Sequence, residues 1–499
     1  MQLQFHKNTV SCLQKIRGDV QYQEQSQELR LPEDMADIGS VLGAWGQVLI
    51  RTKEWRDGGM SVSGGVMAWA MYLPEEGTDP QMVEAWIPFQ MKWDMPTSGS
   101  DGVIRICCHP RFVDARVVSA RKLMVRAGVS ATAEALSPME VQISTPGEVP
   151  EDVELLTNSY PLRLIREAGE KEFSLDEDLT LPAACPAVEK ILSYHVCPEI
   201  TEHRVSGDKV IFRGNTNLHV LYRSEEGKLH ACDIAHPFSQ LTQLERTYST
   251  DAQSDVALCV TSLEVTLEDE GNLRLKCGLV GQYRVDERQT VSLVEDAYSP
   301  VREVALHSDE LKLPAILETR EEILPVEQVM EQAEGSVVES LMYCDQLRQM
   351  RSAEQVSIEL SGQSCALYYR DDGTLHASAS RWERNFTLET DDGCELDVTV
   401  QSCACPQSSI TADGITIKGD CSVDINARAT SGLAMVNGLT LGDPAEPDPA
   451  RPSVILCRVG DRSLWQIAKE SGSTVTAIRR ANRLEGEPDQ GKMLLIPVG

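Results

Sequence analysis

The sequence predicts a multidomain, mainly β protein: three antiparallel β-rich repeat domains followed by a small β-α-α-β module. Three observations carry that expectation. At 499 residues the chain exceeds what one hydrophobic core serves. Strand-like alternation returns at an offset near 150 residues. Past residue 440 the composition breaks, with four prolines in the ten residues 443–452.

The composition is that of a soluble globular protein, 41% hydrophobic and 25% charged. Asp and Glu number 77 against 46 Lys and Arg, a net charge of −31. A body so acidic repels phosphate backbones and anionic membranes, so no nucleic-acid partner is expected. No stretch approaches the roughly 18 apolar residues of a membrane helix, and the first residues lack the apolar segment of a secretory signal. The expectation is a cytoplasmic protein with no direct membrane insertion. In that reducing compartment the 15 cysteines read as thiols.

Residues 1–30 are polar and read as an N-terminal lead-in, with a helix-like piece from Thr9 to Ile16. The first repeat is placed at 31–147, where Val66 to Tyr72 forms a strand-like run before the turn Leu73-Pro74-Glu75-Glu76-Gly77. An acidic linking segment, 148–180, precedes the second repeat at 181–295. There Gly207 to Gly227 reads as two short strands, Val210/Phe212 and Leu218/Val220/Tyr222, parted by a turn at Arg213-Gly214-Asn215. Val256–Val260, Leu263–Leu267, Leu273–Leu279 and Tyr283–Val285 read as further short strands at the spacing of a sandwich or barrel. A second linking segment, 296–350, holds the most helix-like stretch, Glu327 to Gln332. The third repeat is placed at 351–440.

The repeat rests on three anchors. Tyr72 and Tyr222 lie 150 residues apart, Phe89 and Phe238 149, and Leu123 and Leu273 150. In the third copy Tyr369, Phe386 and Ile415 follow at 147, 148 and 142, a shrinkage that places deletions in loops. These tyrosines and phenylalanines read as core packing. A Pro-rich linker, 441–452, should be a semi-rigid spacer that sets the last residues of the chain apart.

Residues 453–499 read as β-α-α-β. Val454 to Val459 is a strand. Ser463 caps a helix, with Gln466 completing a capping box and Leu464, Ile467 and Ala468 on its apolar face. Gly472 stops it. Ser473 or Thr474 caps a second helix with Val475, Ile478 and Ala481 inward and Asn482 as a left-handed stop. Met493 to Pro497 closes the unit.

The pattern Ser463-Leu464-Trp465-x-Ile467-Ala468, then Ala481-Asn482-x-Leu484, then Gly491 and Leu494-x-Ile496-Pro497, resembles the LysM module. The family's Gly-Asp falls on Asp461-Arg462, one residue off pattern. The upstream copies, with their VLY…G and PF anchors, resemble the SPOCS domain, formerly DUF3794. SPOCS repeats followed by one LysM module are the layout of the SipL-like spore-coat morphogenesis family. The resemblance implies a non-enzymatic role in building the spore envelope. It implies synthesis in the mother-cell cytoplasm and a place at the forespore surface in the coat. It implies binding, through the LysM module, to the scaffold ATPase of the coat basement layer. Its alternative is peptidoglycan, because LysM modules grip N-acetylglucosamine polymers in a shallow groove.

Asp461, Arg462, Ser463, Leu464, Asn482, Arg483 and Leu484 flank that expected groove and are the candidate binding residues for partner or glycan. Ser463 and Asn482 also have capping explanations, and Trp465 could stack on a sugar or pack in the module. From Ser453 on, seven Lys/Arg meet five Asp/Glu, a net of +2 that leaves −33 on the rest. No metal, cofactor or catalytic set is expected. His230-Ala231-Cys232 with His236 could hold a metal, yet its first-repeat counterpart, Val83 to Ile87, has neither His nor Cys. Cys403 and Cys405 lack a second pair at zinc spacing.

Overall fold

Strands dominate because β-branched and aromatic residues alternate with polar ones along most of the chain. The computed structural model describes every residue except 1, 18–19, 57, 96–101, 269–270, 332–334, 353–354, 390–393, 404–405, 430–431, 447–451 and 499. The first unit comprises β1 (Gln2–Gln4), β2 (His6–Arg17), β3 (Gln21–Arg30), β4 (Ile38–Arg56), β5 (Gly59–Pro74), β6 (Gln81–Asp94), β7 (Val103–Ser119) and β8 (Lys122–Thr145). The second comprises β9 (Glu154–Leu179), β10 (Val188–Ser206), β11 (Lys209–Ser224), β12 (Leu229–Gln243), β13 (Gln253–Leu267) and β14 (Leu273–Tyr298). The third comprises β15 (Val304–Leu311), β16 (Ile316–Glu331), β17 (Ser336–Arg351), β18 (Gln355–Tyr369), β19 (Leu375–Glu389), β20 (Cys394–Cys403), β21 (Gln407–Thr411), β22 (Gly414–Ala429) and β23 (Leu433–Leu441). Last come β24 (Val454–Arg458), α1 (Leu464–Ser471), α2 (Val475–Asn482) and β25 (Met493–Pro497). Among the described residues no helix is long and apolar enough to cross a membrane.

Each unit repeats one topology. A three-stranded antiparallel meander stands at its centre: β4-β5-β6, β10-β11-β12 and β17-β18-β19. After the meander a hairpin ends in a long strand, and the unit's first strands pair back onto it. Thus β2 and β3 pair β8, β9 pairs β14, and β16 pairs β22.

These pairings correct several expectations. The lead-in 1–30 and the linking segments 148–180 and 296–350 carry strands. Thr9–Ile16 is not helical; it lies in β2, with Val10 and Cys12 buried and Thr9 and Ser11 exposed, a period of two. The helix expected from Glu327 is strand β16 through Glu331, and Gln332 lies outside the described residues. Val326 and Met330, both buried, stand four apart, a spacing that suits a helix and a strand equally. The short strands expected between 256 and 285 are two long ones, β13 and β14. The turn expected at 213–215 is absent, because β11 runs unbroken through Gly214.

Gly214 faces a register irregularity between Ile200 and Glu202. A Cβ there would stand 1.9 Å from the Glu199 carbonyl oxygen and 2.7 Å from the Phe238 ring. Gly64 with Phe89 and Gly362 with Trp382 repeat that arrangement beside like irregularities. Near the other end of each central strand, Tyr72, Tyr222 and Tyr368 sit at a second shared irregularity. The third-copy equivalents are therefore Trp382 and Tyr368, not Phe386 and Tyr369. From glycine to tyrosine spans eight residues in β5 and β11 but six in β18. Two of the missing residues therefore come from within β18 rather than from a loop. Losing two residues leaves every later side chain on its original face.

The units close on one another. Val10 and Ile143, Leu164 and Leu293, and Leu311 and Met435, two from each unit, share one core. β1 crosses from the first unit to pair β23 of the third.

Candidate functional site

The C-terminal module forms as its local chemistry dictates. Ser463 accepts from the Gln466 N–H, and the Gln466 side chain accepts from the Ser463 N–H, completing the capping box. Gly472 ends α1 in the left-handed region (φ 60). Leu464, Ile467, Ile478, Leu494 and Ile496 make the core. Ala481 is exposed rather than inward. The left-handed stop after α2 is Arg483 (φ 55), not Asn482. Asn482 is the last helical residue because its amide has other work. Its nitrogen donates to the Ile478 and Leu495 carbonyls (2.9 and 2.6 Å), and its oxygen accepts from the Leu495 N–H (2.8 Å). It thereby pairs the free edge of β25 as a strand would.

The candidate rim residues divide by role. Ser463 and Asn482 are engaged as above, Leu464 is core, and Leu484 packs against that core. The Leu464 N–H donates to Glu487 (3.0 Å), so this chain's own carboxylate sits at the start of α1. Arg462 pairs with Glu470 at 2.7 Å and donates to the Arg458 carbonyl. Asp461 accepts from Gln490, and Arg483 is exposed.

The module is seated rather than isolated. The Trp465 indole N–H donates to Asp296 (2.7 Å), and the Lys469 ammonium lies 2.7 and 2.9 Å from the same carboxylate. The Trp465 ring meets Tyr298 edge to face at 4.7 Å, and the Tyr298 hydroxyl donates to the Ser473 carbonyl (3.0 Å). Asp296 and Tyr298 end β14, so the second unit carries the module.

The opposite face of the module is apolar and open. Alternation in β24 and β25 turns Ile455, Cys457, Leu494 and Ile496 inward and Val454, Leu456, Met493 and Leu495 outward. Those four are 51, 64, 54 and 46% exposed. Leu456 pairs with Leu495, Val454 with Pro497 and Arg458 with Met493, so all six share one face. A contiguous aliphatic face with a basic corner is what interfaces use.

A second constellation lies where the three units meet. Arg105, Asp255 and Asp397 occupy matching positions, as do Glu134, Arg284 and Asn426 opposite them. Arg105 reaches Asp255 at 2.9 Å, Arg284 reaches Asn426 at 2.6 Å, and Lys15 stands 3.4 Å from Asp397. The first unit thus binds the second, the second the third, and the third the first. Burial alone would raise the Glu134 carboxyl, but Lys15 and Arg105 hold it down at about 2. Burial opposes ionisation of Asp255 likewise, and Arg105 and Arg284 keep its carboxyl below the usual range. Arg105, Glu134, Asp255 and Asn426 edge a cavity of ≈ 30 Å³, room for water.

His219 makes a third cross-unit contact. Its ring nitrogens lie 2.6 Å from Asp233 and 2.6 Å from the buried Glu339 of the third unit, and His195 stacks on it at 4.7 Å. Neither this residue nor the charged centre was singled out from sequence. Aligning the copies at offsets of 150 and 142 would have brought Arg105, Asp255 and Asp397 into one column.

A family model described as SipL, SPOCS domain, matches residues 187–268. The match spans the second meander and β13. A SPOCS domain in this segment ties the chain to sporulation. Comparison with curated proteins and with solved structures finds no match.

Proposed function

We propose that the chain is a non-enzymatic assembly protein of the spore envelope whose C-terminal unit, a LysM-like module, docks a coat scaffold protein. The open aliphatic face of β24 and β25 carries this reading. In water four large aliphatic side chains on one small sheet leave apolar area unburied, and burying it yields about 25 cal/mol per Å². A protein surface covers such a face; a sugar polymer, rich in hydroxyls, does not match it. The groove reading loses support because Ser463, Asn482 and the Leu464 N–H are already engaged and Trp465 packs on Tyr298. The three SPOCS-like units supply a rigid acidic body, and the scaffold ATPase of the coat basement layer is the partner the resemblance implies.

The test compares the intact chain with a Leu456→Asp, Leu495→Asp variant on two baits: extract of sporulating mother cells and purified peptidoglycan. The wild type is expected to retain the scaffold ATPase, identified by mass spectrometry. The variant is expected to lose it with an unchanged circular dichroism spectrum. Equal capture by both would move the contact off this face. Retention on peptidoglycan alone would replace docking by glycan binding. Arg462→Glu with Arg483→Glu tests the two arginines of the expected groove rim in the same assay and should weaken capture.

A further inference from the structure

Among the described residues the thiols of Cys185 and Cys232 face each other. Their sulfurs lie 2.7 Å apart. Non-bonded heavy atoms rest at roughly 3.5–4 Å, and bonded sulfurs at about 2.05 Å. Cys185 belongs to the short connection between β9 and β10, in a turn closed by its own N–H on the Pro182 carbonyl (2.8 Å). Cys232 is a buried residue of β12. The Tyr222 hydroxyl donates to the Pro186 carbonyl (3.1 Å), which holds the connection against the sheet. The equivalent tyrosine, Tyr72, makes the same bond to Ala36.

The fold does not demand sulfur here. The matching positions of the first unit are Met35 and Val83, which pack in its core. Apolar bulk therefore suffices, and two thiols facing each other supply chemistry that packing alone leaves unused. Cys185 is half-buried while Cys232 is buried, so a reagent from solvent meets Cys185 first. Burial, and then Cys185 itself, push the Cys232 thiol up to about 12.

We infer that Cys185 and Cys232 form a redox staple, closed by an external low-molecular-weight disulfide and reopened by a dithiol. The Cys185 thiolate attacks the external disulfide, forming a mixed disulfide and releasing one thiolate. Cys232 gives up its proton and attacks the Cys185 sulfur, expelling the second thiolate. Two protein thiols are oxidised and one external disulfide is reduced to two thiols. The bond ties the β9–β10 connection to β12 across 47 positions of sequence. This inference is independent of the docking reading.

The test treats the folded, full-length chain with oxidised glutathione, alkylates the remaining thiols and maps peptides without reduction. Trypsin isolates each partner: 172–190 contains Cys185 as its one cysteine, and 229–246 contains Cys232 as its one cysteine. A linked pair of these peptides that disappears on dithiothreitol treatment is expected, with two fewer alkylated thiols. Cys277→Ser should keep the link and Cys185→Ser should abolish it, with circular dichroism confirming both folds. Alkylation of both cysteines with no linked peptide would overturn the inference. So would a glutathione adduct persisting on Cys185.

Discussion

His219 joins two units through one ring. Burial on its own would favour the neutral imidazole, but Glu339 and Asp233 outweigh it and raise its pKa well above the ordinary value of 6.5. A raised folded pKa gives stability that is full below pH 6.5 and declines as pH rises through the folded value. Urea midpoints measured across pH 6 to 9 should show that alkaline decline, and His219→Gln should flatten it. His219→Ala leaves Glu339 buried without its cation and should cost about 3–5 kcal/mol. A second change, Glu339→Leu, should restore part of that loss. Gly362 sets a different limit. A methyl group there would stand 2.0 Å from the Tyr343 carbonyl oxygen and 2.3 Å from the Trp382 ring. Gly362→Ala should destabilise by about 1–3 kcal/mol in the same assay, because neither backbone nor indole can move aside cheaply.

Among the elements, the seat of the module is the contact most open to test. Asp296 bonds both Trp465 and Lys469, and hydrogen bonds to charged groups contribute about 1.5–3 kcal/mol. Asp296→Ala should release the module. The expected signs are faster proteolysis within 441–452 and a shift in Trp465 emission, with helix content unchanged. Legibility followed the range of the forces involved. The capping box at Ser463 and the apolar faces of α1 were readable because they are local. The repeat was readable through anchors such as Leu123 and Leu273, both fully buried beside turns. β3, Gln21–Arg30, was not readable, because its polar sequence has little strand preference and its partner β8 lies about a hundred residues on. The seat escaped for the same reason: nothing near Trp465 in sequence points to Asp296. The two-residue loss in β18 mimics loop shortening, because an even deletion leaves the alternation intact.

For the whole molecule, the charged centre governs behaviour in acid. Glu134 is held near 2 against an ordinary 4.5, so its contribution is present above pH 4.5 and disappears as pH falls towards 2. Thermal midpoints should therefore drop steeply across that window. Glu134→Gln should be less stable than wild type at neutral pH and converge with it near pH 2. Arg284→Met, which takes one of its two guanidinium partners from Asp255 and the donor from Asn426, should cost about 1.5–3 kcal/mol at neutral pH. The three matching positions hold Arg, Asp and Asp, and their opposites Glu, Arg and Asn. Three identical copies would set like charges side by side at that centre. Each unit therefore carries an address that only its own neighbours answer, which fixes the order of the three in the chain and disfavours exchange of a unit between two chains.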